Sequence, residues 1–415
     1  MLYPIGIQSF EDIRRGGYVY VDKTELIYKL AATGKYYFLS RPRRFGKSLL
    51  VSTMEAYFQG KRELFDGLAI ESLEKDWVEY PVLHFDLGGE SYNDESALDV
   101  TLSQHLANME AKFGVTRRFD SYPARFKDVI DAAYGKTGRQ VVILIDEYDK
   151  PVIDNLDRPE LQDKMRETLR GFYGVMKSKD GCIRFGFLTG VTKIGKMSVF
   201  SDLNNLKDIS MDARYTDICG ISEADLNDYF SESVKELAEA NGLTDDECRQ
   251  KLAMMYDGYH FCEDSMGVYN PFSLLNTFDS LKFKEYWFET GTPSFLVKVM
   301  RKTSYDVPRL SSDLVGSSLL TDVNTAFLNP VPLLYQSDST NTLISLMSMD
   351  VEAGNPESFM TRLDALFART DYRIQGDCEK DFQYAMYIII ELMGEYVETE
   401  RATSNGRIDG WKVIC

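Results

Sequence analysis

The chain has 415 residues, enough for roughly two or three domains, so one small module cannot account for it. Acidic residues outnumber basic residues by 65 to 47, and the net charge of −18 excludes a whole-surface attraction to nucleic acid or anionic membrane. The six scattered cysteines form no C-x-x-C pair, and the chain has no signal peptide and no run of ~20 apolar residues, so we expect a cytoplasmic protein without membrane contact.

Short apolar runs in the first half of the chain predict buried β-strands at residues 36–39, 82–85, 141–145 and 183–188. Helical patterns lie between most of them, which predicts a parallel sheet with flanking helices over residues 1–210. Ser222 and the acids after it predict an N-cap, with helical periodicity to about residue 255, in a mostly helical domain over 211–335. A loop-rich linker at 336–357 and a small segment at 358–415 complete the predicted organisation.

The stretch SRPRRFGKSLLVSTM, residues 40–54, follows the first predicted strand and runs into a helical pattern. It resembles the phosphate-binding pattern G-x-x-x-x-G-K-[ST], except that Arg41 replaces the first glycine. Its context favours a phosphate site over a basic turn, because backbone N–H groups and the positive end of a helix would surround one anion. Lys47 would reach the β- and γ-phosphates and Ser48 would bind Mg²⁺. Since Arg41 and Pro42 restrict the backbone, the loop must be held by its surroundings.

The cofactor-binding residues predicted for ATP in this loop are Arg41, Pro42, Arg43, Arg44, Phe45, Gly46, Lys47, Ser48 and Leu49.

Acidic and polar side chains follow the third and fourth predicted strands. Asp146 would hold Mg²⁺ through water, and Glu147 would polarise an attacking water as a catalytic base. The alternative is a buried strand that ends in an acidic turn. Thr189 or Thr192 would sense the γ-phosphate, although an ordinary strand-to-loop turn explains that stretch equally well, and the sequence does not choose between the two threonines.

Six motifs together resemble the bacterial AAA-ATPase-like family, which is similar to the archaeal ATPase branch of P-loop proteins. They are YVDKT at 20–24, RPRRFGKS at 41–48, LIDEYDKP at 144–151, YDGY at 256–259, YNPFS at 269–273 and TGTPS at 290–294. The resemblance implies an α/β fold: a P-loop NTPase parallel sheet, then a helical lid, then a PD-(D/E)XK nuclease-like domain. It also implies that the arginine-rich loop is the family's usual form, and hence a real nucleotide site.

The resemblance assigns further roles outside the phosphate loop. Asp22 and Lys23 would shape the nucleotide pocket, and the alternative is a surface turn with a helix cap. The YDGY and YNPFS motifs would face the nucleotide from the lid. As bare sequence they are a helix stop and a proline-led helix start.

In the C-terminal segment, Glu379 matches the helical acid of the nuclease core and Asp409 matches its first metal-binding aspartate. The strand with a Glu-x-Lys triplet that would complete the metal shell does not follow before Cys415. The region between residues 335 and 356 also looks shorter than the family pattern. We therefore expect a truncated segment without nuclease activity, from a natural truncation or a frameshift.

These patterns favour an ATP-binding P-loop NTPase that hydrolyses ATP slowly with Mg²⁺ and acts as a nucleotide-gated switch. One alternative is the ATPase module of a nucleic-acid-processing nuclease whose nuclease part is incomplete here. Another is a scaffold that binds nucleotide without hydrolysing it. A nucleic-acid or protein partner and oligomer formation are left open.

Overall fold

The computed structural model describes residues 1–155, 158–191, 205–256, 259, 261–262, 267–284 and 286, and the strands at 396–403 and 406–414. The chain divides into two compact units, Met1–Glu289 and Thr290–Cys415. The domain boundaries expected from the sequence, at residues 210, 335 and 357, stay predictions.

One parallel sheet forms the centre of the first unit. Its strands are β1 (Tyr36–Ser40), β2 (Val82–Asp86), β3 (Val141–Asp146), β4 (Ile183–Gly190) and β5 (Lys207–Asp208). Within the described residues the sheet has five strands, in the order β2-β3-β4-β1-β5. Every residue of β1 and β3 is buried, as expected for a sheet covered on both faces. The four strands predicted from apolar runs are confirmed.

Eight helices accompany the sheet within the described residues: α1 (Phe10–Gly16), α2 (Thr24–Thr33), α3 (Lys47–Phe58), α4 (Ala69–Leu73), α5 (Ala97–Phe113), α6 (Tyr122–Thr137), α7 (Lys150–Ile153) and α8 (Pro159–Ser178). Short 3-10 turns occur at Arg62–Phe65, Asp180–Cys182 and Ala213–Tyr215.

The two faces of the sheet bury different helices because successive strand side chains point to opposite sides. On one face, Leu39 and Val142 join a core with residues of α1 to α4, such as Val51. On the other face, Phe85 of β2 packs edge-on against Phe126 of α6 and Phe172 of α8, with ring centroids 5.1 Å away in each case. The sheet therefore has helices packed on both of its faces, which gives the fold its α/β layers.

In the described part of this unit, three further helices follow the sheet: α9 (Glu223–Asn241), α10 (Asp245–Tyr256) and α11 (Pro271–Ser280). Ser222 caps α9 as predicted, in a reciprocal capping box with Asp225. The helical pattern expected to continue to about residue 255 is broken at Gly242, whose φ of 66° ends α9. Asn270 caps α11, so the YNPFS motif includes a proline-led helix start.

Two antiparallel strand pairs complete the described elements. Strands β6 (Ile221–Ser222) and β7 (Val268–Tyr269) pair beside α9. In the second unit, β8 (Tyr396–Thr403) pairs with β9 (Gly406–Ile414). Among the described residues, no helix combines the length and the apolarity needed to cross a membrane.

A histidine–glutamate pair joins β2 to the helix that follows the phosphate-loop candidate. His84 Nδ1 lies 2.9 Å from Oε2 of Glu55 on α3. Burial disfavours the charged imidazole, but Glu55 outweighs this effect and raises the pKa of His84 above its usual value. Burial opposes ionisation of Glu55 in the same way, and His84 nevertheless lowers the pKa of that carboxyl. The charged pair therefore stabilises the folded chain in mildly acidic solution.

We expect this stabilisation to fade as the pH rises through the raised pKa of His84, because the folded state then loses its extra proton. The His84→Gln variant should lose most stability relative to wild type at about pH 5 to 6, between the usual pKa values of Glu and His, and less above neutrality. Urea unfolding across this pH range measures the difference. The Glu55→Gln variant should show the same flattened pH dependence, and an unchanged profile in both variants would contradict the assignment.

Candidate functional site

The loops after β1 and β3 and the end of β4 lie at the carboxyl edge of the sheet. The parallel register aligns Ser40 of β1 with Gly190 of β4, and Asp86 of β2 with Asp146 of β3. Strand β4 therefore lies between the loop after β1 and the acidic end of β3. Ligands of open parallel sheets bind at this edge.

The backbone of the loop after β1 suits an anion. Arg44 has a φ of 67° and Gly46 a φ of 88°, so left-handed residues flank Phe45. Such alternation turns successive N–H groups toward one side and forms an anion-binding concavity. Gly46 is also the N-cap of α3, whose first N–H groups have no partner inside the helix. The loop and the helix end together form a candidate site for an anion.

Arg41 holds this loop in a way that glycine could not. Its side chain is buried, and Nη1 donates to the carbonyl oxygens of Ser40 (2.9 Å) and Ser210 (2.8 Å). Nη2 donates to the carbonyl oxygens of Tyr215 (2.9 Å) and Thr216 (3.3 Å). Burial lowers the pKa of Arg41 to about 10, which leaves it charged near neutrality. Since its φ is not positive, the position does not require glycine.

Aromatic packing holds the other side of the loop. The ring of Phe45 meets Tyr259 edge-on with centroids 4.5 Å apart, and meets Phe261 edge-on at 5.6 Å. The Arg41 guanidinium stacks on Phe261, 3.8 Å from the ring centroid. Such contacts contribute about 0.5–2 kcal/mol each. Tyr259, the last residue of the YDGY motif, and Phe261 thus support the loop.

Lys47 turns back over the loop. Its Nζ is buried and donates to the carbonyl oxygens of Arg41 (3.1 Å) and Pro42 (2.9 Å). Burial lowers the pKa of Lys47, and nearby acids, first among them Glu147, partly offset this effect. The ammonium group is therefore positioned over the loop and faces the acidic end of β3.

The acidic end of β3 is tied to the end of β4. The Thr189 hydroxyl donates a short hydrogen bond to Oδ1 of Asp146, and both side chains are buried. The carboxylate of Asp149 accepts the Val191 N–H at 3.0 and 3.2 Å. These bonds keep the two neighbouring strand ends in one arrangement.

Glu147 adopts an unusual backbone conformation. Its φ of 51° lies in the left-handed region, which costs a residue with a side chain of order 1 kcal/mol. The conformation is fixed because Glu147 N–H donates to Oδ1 of Asp146 (3.0 Å) and Tyr148 N–H donates to the Thr189 carbonyl (2.9 Å). Strain of this kind clusters at functional sites.

Asp22 and Lys23 make contacts of different kinds. The carboxylate of Asp22 accepts the backbone N–H of Thr24 (2.8 Å) and of Ala69 (2.7 Å), which are the first residues of α2 and α4. Lys23 Nζ bonds to Asp225 at 2.6 Å and to Asp217 at 3.3 Å. The helix-cap interpretation of Asp22 has a structural basis, and a nucleotide role for either residue stays a prediction.

A largely apolar cleft opens beside the phosphate-loop candidate. Its volume is about 620 Å³ including the part open to solvent. It extends from Gly46 along α3 to the segment before β6 and to the start of α11. Its lining includes Val21, Lys23, Phe45, Leu49, Cys219 and Pro271. Burial raises the pKa of the Cys219 thiol to about 11, so this thiol is uncharged near neutrality.

Several residues singled out in the sequence lie outside the described residues, among them Thr192, Asp257, Gly258 and Glu379. Asp409 lies on β9, paired with β8 in the second unit. Within the described part of the chain, no three His, Cys, Asp or Glu side chains form a cluster that could hold a metal ion.

Residues that the sequence did not single out contribute to the site. Asp149 accepts the N–H of Val191, the first residue after β4, and the carbonyls of 210, 215 and 216 hold Arg41. Gly220, with a φ of 101°, leaves no room for a Cβ, which would come within 2.5 Å of Val268 and 3.3 Å of Phe45. Only Asp149 lay within a quoted motif, LIDEYDKP.

Comparison with known proteins agrees with the resemblance for the first half of the chain. A family model described as "Predicted AAA-ATPase" (AAA-ATPase-like) matches residues 4–200. The chain is also similar to a protein of Azotobacter chroococcum mcd 1 described as "Uncharacterized protein in vnfD 5'region", with 41% identity over 336 residues. The alignment covers 80% of this chain and 63% of the length of the relative. The parallel α/β sheet is consistent with a P-loop NTPase-like fold.

The Arg41→Gly variant restores the standard phosphate-loop pattern, yet we expect it to destabilise the fold by about 3 kcal/mol. Four carbonyl oxygens would lose their donor, and the ring of Phe261 would lose its stacked partner. Denaturant unfolding measures the loss. Arg43→Ala is the control in the same loop, because Arg43 is exposed and its loss should change stability much less. Equal effects of the two substitutions would contradict the structural role of Arg41.

Proposed function

We propose that the unit Met1–Glu289 binds ATP with Mg²⁺, hydrolyses it slowly and acts as a nucleotide-gated switch. The observation that carries the proposal is the pairing of two features across β4. The loop after β1 contains two residues with left-handed backbone and the buried Lys47. The acids Asp146 and Glu147 lie at the end of β3, and the backbone of Glu147 is strained. The family match over residues 4–200 supports the ATPase class.

The triphosphate would occupy the concavity of the loop. Backbone N–H groups around Gly46 and the N-terminus of α3 would donate to its β-phosphate. Lys47 would exchange its bonds to two loop carbonyls for bonds to the β- and γ-phosphates, which are stronger because both partners are charged. Arg43 and Arg44, both exposed on the loop, would add positive charge in a chain that is acidic as a whole.

The adenine base would enter the apolar cleft beside Gly46. Phe45 and Leu49 come from the loop and α3, while Val21 and Cys219 come from the segments before α2 and β6. A cleft with apolar walls and few polar groups suits a planar base. The assignment also gives the YVDKT motif a role, since Val21 and Lys23 line the cleft.

The residues at the loop and strand ends fit Mg²⁺ and water activation. The Ser48 hydroxyl and the Asp146 carboxylate are hard oxygen donors of the kind Mg²⁺ prefers, and Mg²⁺ is usually held by one or two protein groups together with substrate phosphates. Bound Mg²⁺ would neutralise charge on the β- and γ-phosphates. Glu147 would orient a water molecule and accept its proton, and Thr189 would keep Asp146 in place.

The switch would act through contacts between the loop and the helices α9 to α11, which we call the lid helices. Arg44 stacks on Phe272 of α11 with 4.9 Å to the ring centroid, and Lys23 bonds to Asp225 of α9. A γ-phosphate drawing Lys47 and Ser48 toward the end of β4 would stabilise one placement of the lid helices, and its loss would release them. The proposal also includes a nucleic-acid or protein partner and the formation of oligomers.

A thermal-shift series tests the binding step. ATP with Mg²⁺ should raise the melting temperature of the wild-type protein by several degrees at saturating ligand, because a ligand at a hundredfold excess over its Kd adds about 2.7 kcal/mol of stability. The Lys47→Ala variant should show no such shift, whatever its own stability. Lys61→Ala, which removes a lysine bonded to Glu11, is the control and should respond like wild type. Equal shifts in the Lys47 and Lys61 variants would refute the proposal.

Base binding and phosphate binding can be tested separately. A Val21→Trp substitution would fill the cleft and should weaken ATP binding at least ~10-fold, about 1.4 kcal/mol, while leaving inorganic tripolyphosphate binding unchanged. Lys47→Ala should weaken both ligands. Titration calorimetry measures the affinities, with Val100→Trp on the exposed face of α5 as the control. Unchanged ATP affinity in Val21→Trp would place the base elsewhere.

A further inference from the structure

The turn after β2 faces the strained acid at the end of β3. A Cβ built on Gly88 would lie 3.0 Å from both Cδ and Oε2 of Glu147, and 3.0 Å from Oδ1 of Asp86. Such distances are tighter than nearly all real Cβ contacts, so a side chain at 88 would move the neighbouring carboxylates by a few tenths of an ångström. The space beside Gly88 therefore limits where the Glu147 carboxylate can lie.

The backbone at Gly88 does not explain why glycine stands there. Its φ is outside the positive region, so an alanine could adopt the same backbone. Glu147 is the constrained partner, because its left-handed backbone is bonded to Asp146 and followed by a bond to the end of β4. Because the backbone of Glu147 is fixed, the free space beside Gly88 determines where the carboxylate of Glu147 lies.

We propose that Gly88 is a positioning residue: its missing side chain leaves room for the Glu147 carboxylate beside the turn after β2. The inference rests on the proposed function, since it concerns the group that would activate water. A carboxylate displaced by a few tenths of an ångström still contacts solvent, so the fold loses little. Proton transfer depends much more steeply on position.

The test compares Gly88→Ala with Gly89→Ala. The two glycines are adjacent in one turn and neither has a positive φ, but a Cβ on Gly89 meets nothing within 4 Å. We expect Gly88→Ala to lower kcat for ATP by roughly 10-fold while KM, the ATP-induced thermal shift and the melting temperature stay as in wild type. Gly89→Ala should match wild type in all four.

A double variant asks whether the effect acts through Glu147. In a Glu147→Gln background, measured under single-turnover conditions, Gly88→Ala should lower the residual rate by less than about twofold, since coupled residues are not additive. Equal kcat values for Gly88→Ala and Gly89→Ala, or a full 10-fold effect in the Glu147→Gln background, would overturn the positioning role while ATP hydrolysis by the wild type stands. A wild-type protein without ATP turnover would overturn the proposed function and this inference with it.

Discussion

The buried guanidinium of Arg41 is the interaction on which the candidate site depends. It connects the end of β1 to carbonyl oxygens at 210, 215 and 216, and it stacks on Phe261. Charge-assisted hydrogen bonds in a dry interior are strong, and leaving their acceptors unpaired is expensive. The loop therefore keeps its shape through contacts with distant segments, where a glycine-led loop relies on backbone freedom.

The acidic side of the site depends on strand order. Because β4 separates β1 from β3, the residue that contacts Asp146 is Thr189 on β4. Asp149 then fixes the chain that leaves β4, and Glu147 is held in a left-handed conformation between these bonds. Lys47 approaches the same edge from the other side. Opposite charges thus face each other across one strand, in a geometry set by the strand order and the parallel register.

Patterns that repeat along the chain were predictable from the sequence, and contacts between distant segments were not. The four main strands followed from apolar runs, and Ser222 as an N-cap followed from its acidic neighbours. Strand β5 has only Lys207 and Asp208, too few residues to carry a periodicity. The pattern placed Arg41 in the phosphate loop, but its partners lie about 170 residues away and their carbonyls leave no trace in the sequence. The sequence did not indicate a role for Gly88, because that role depends on its lack of a side chain.

The anchoring of Arg41 also constrains how such a loop can change over generations. Glycine at this position removes the donor for the 210–216 segment, and an arginine that arose without such a set of carbonyl acceptors would bury an unpaired charge. Each evolutionary intermediate between the two loop types would therefore have either a buried donor without acceptors or buried acceptors without a donor. The effect of exchanging arginine and glycine at this position therefore depends on other residues, which is epistasis. Lineages with one loop type should retain it even where the rest of the sequence changes.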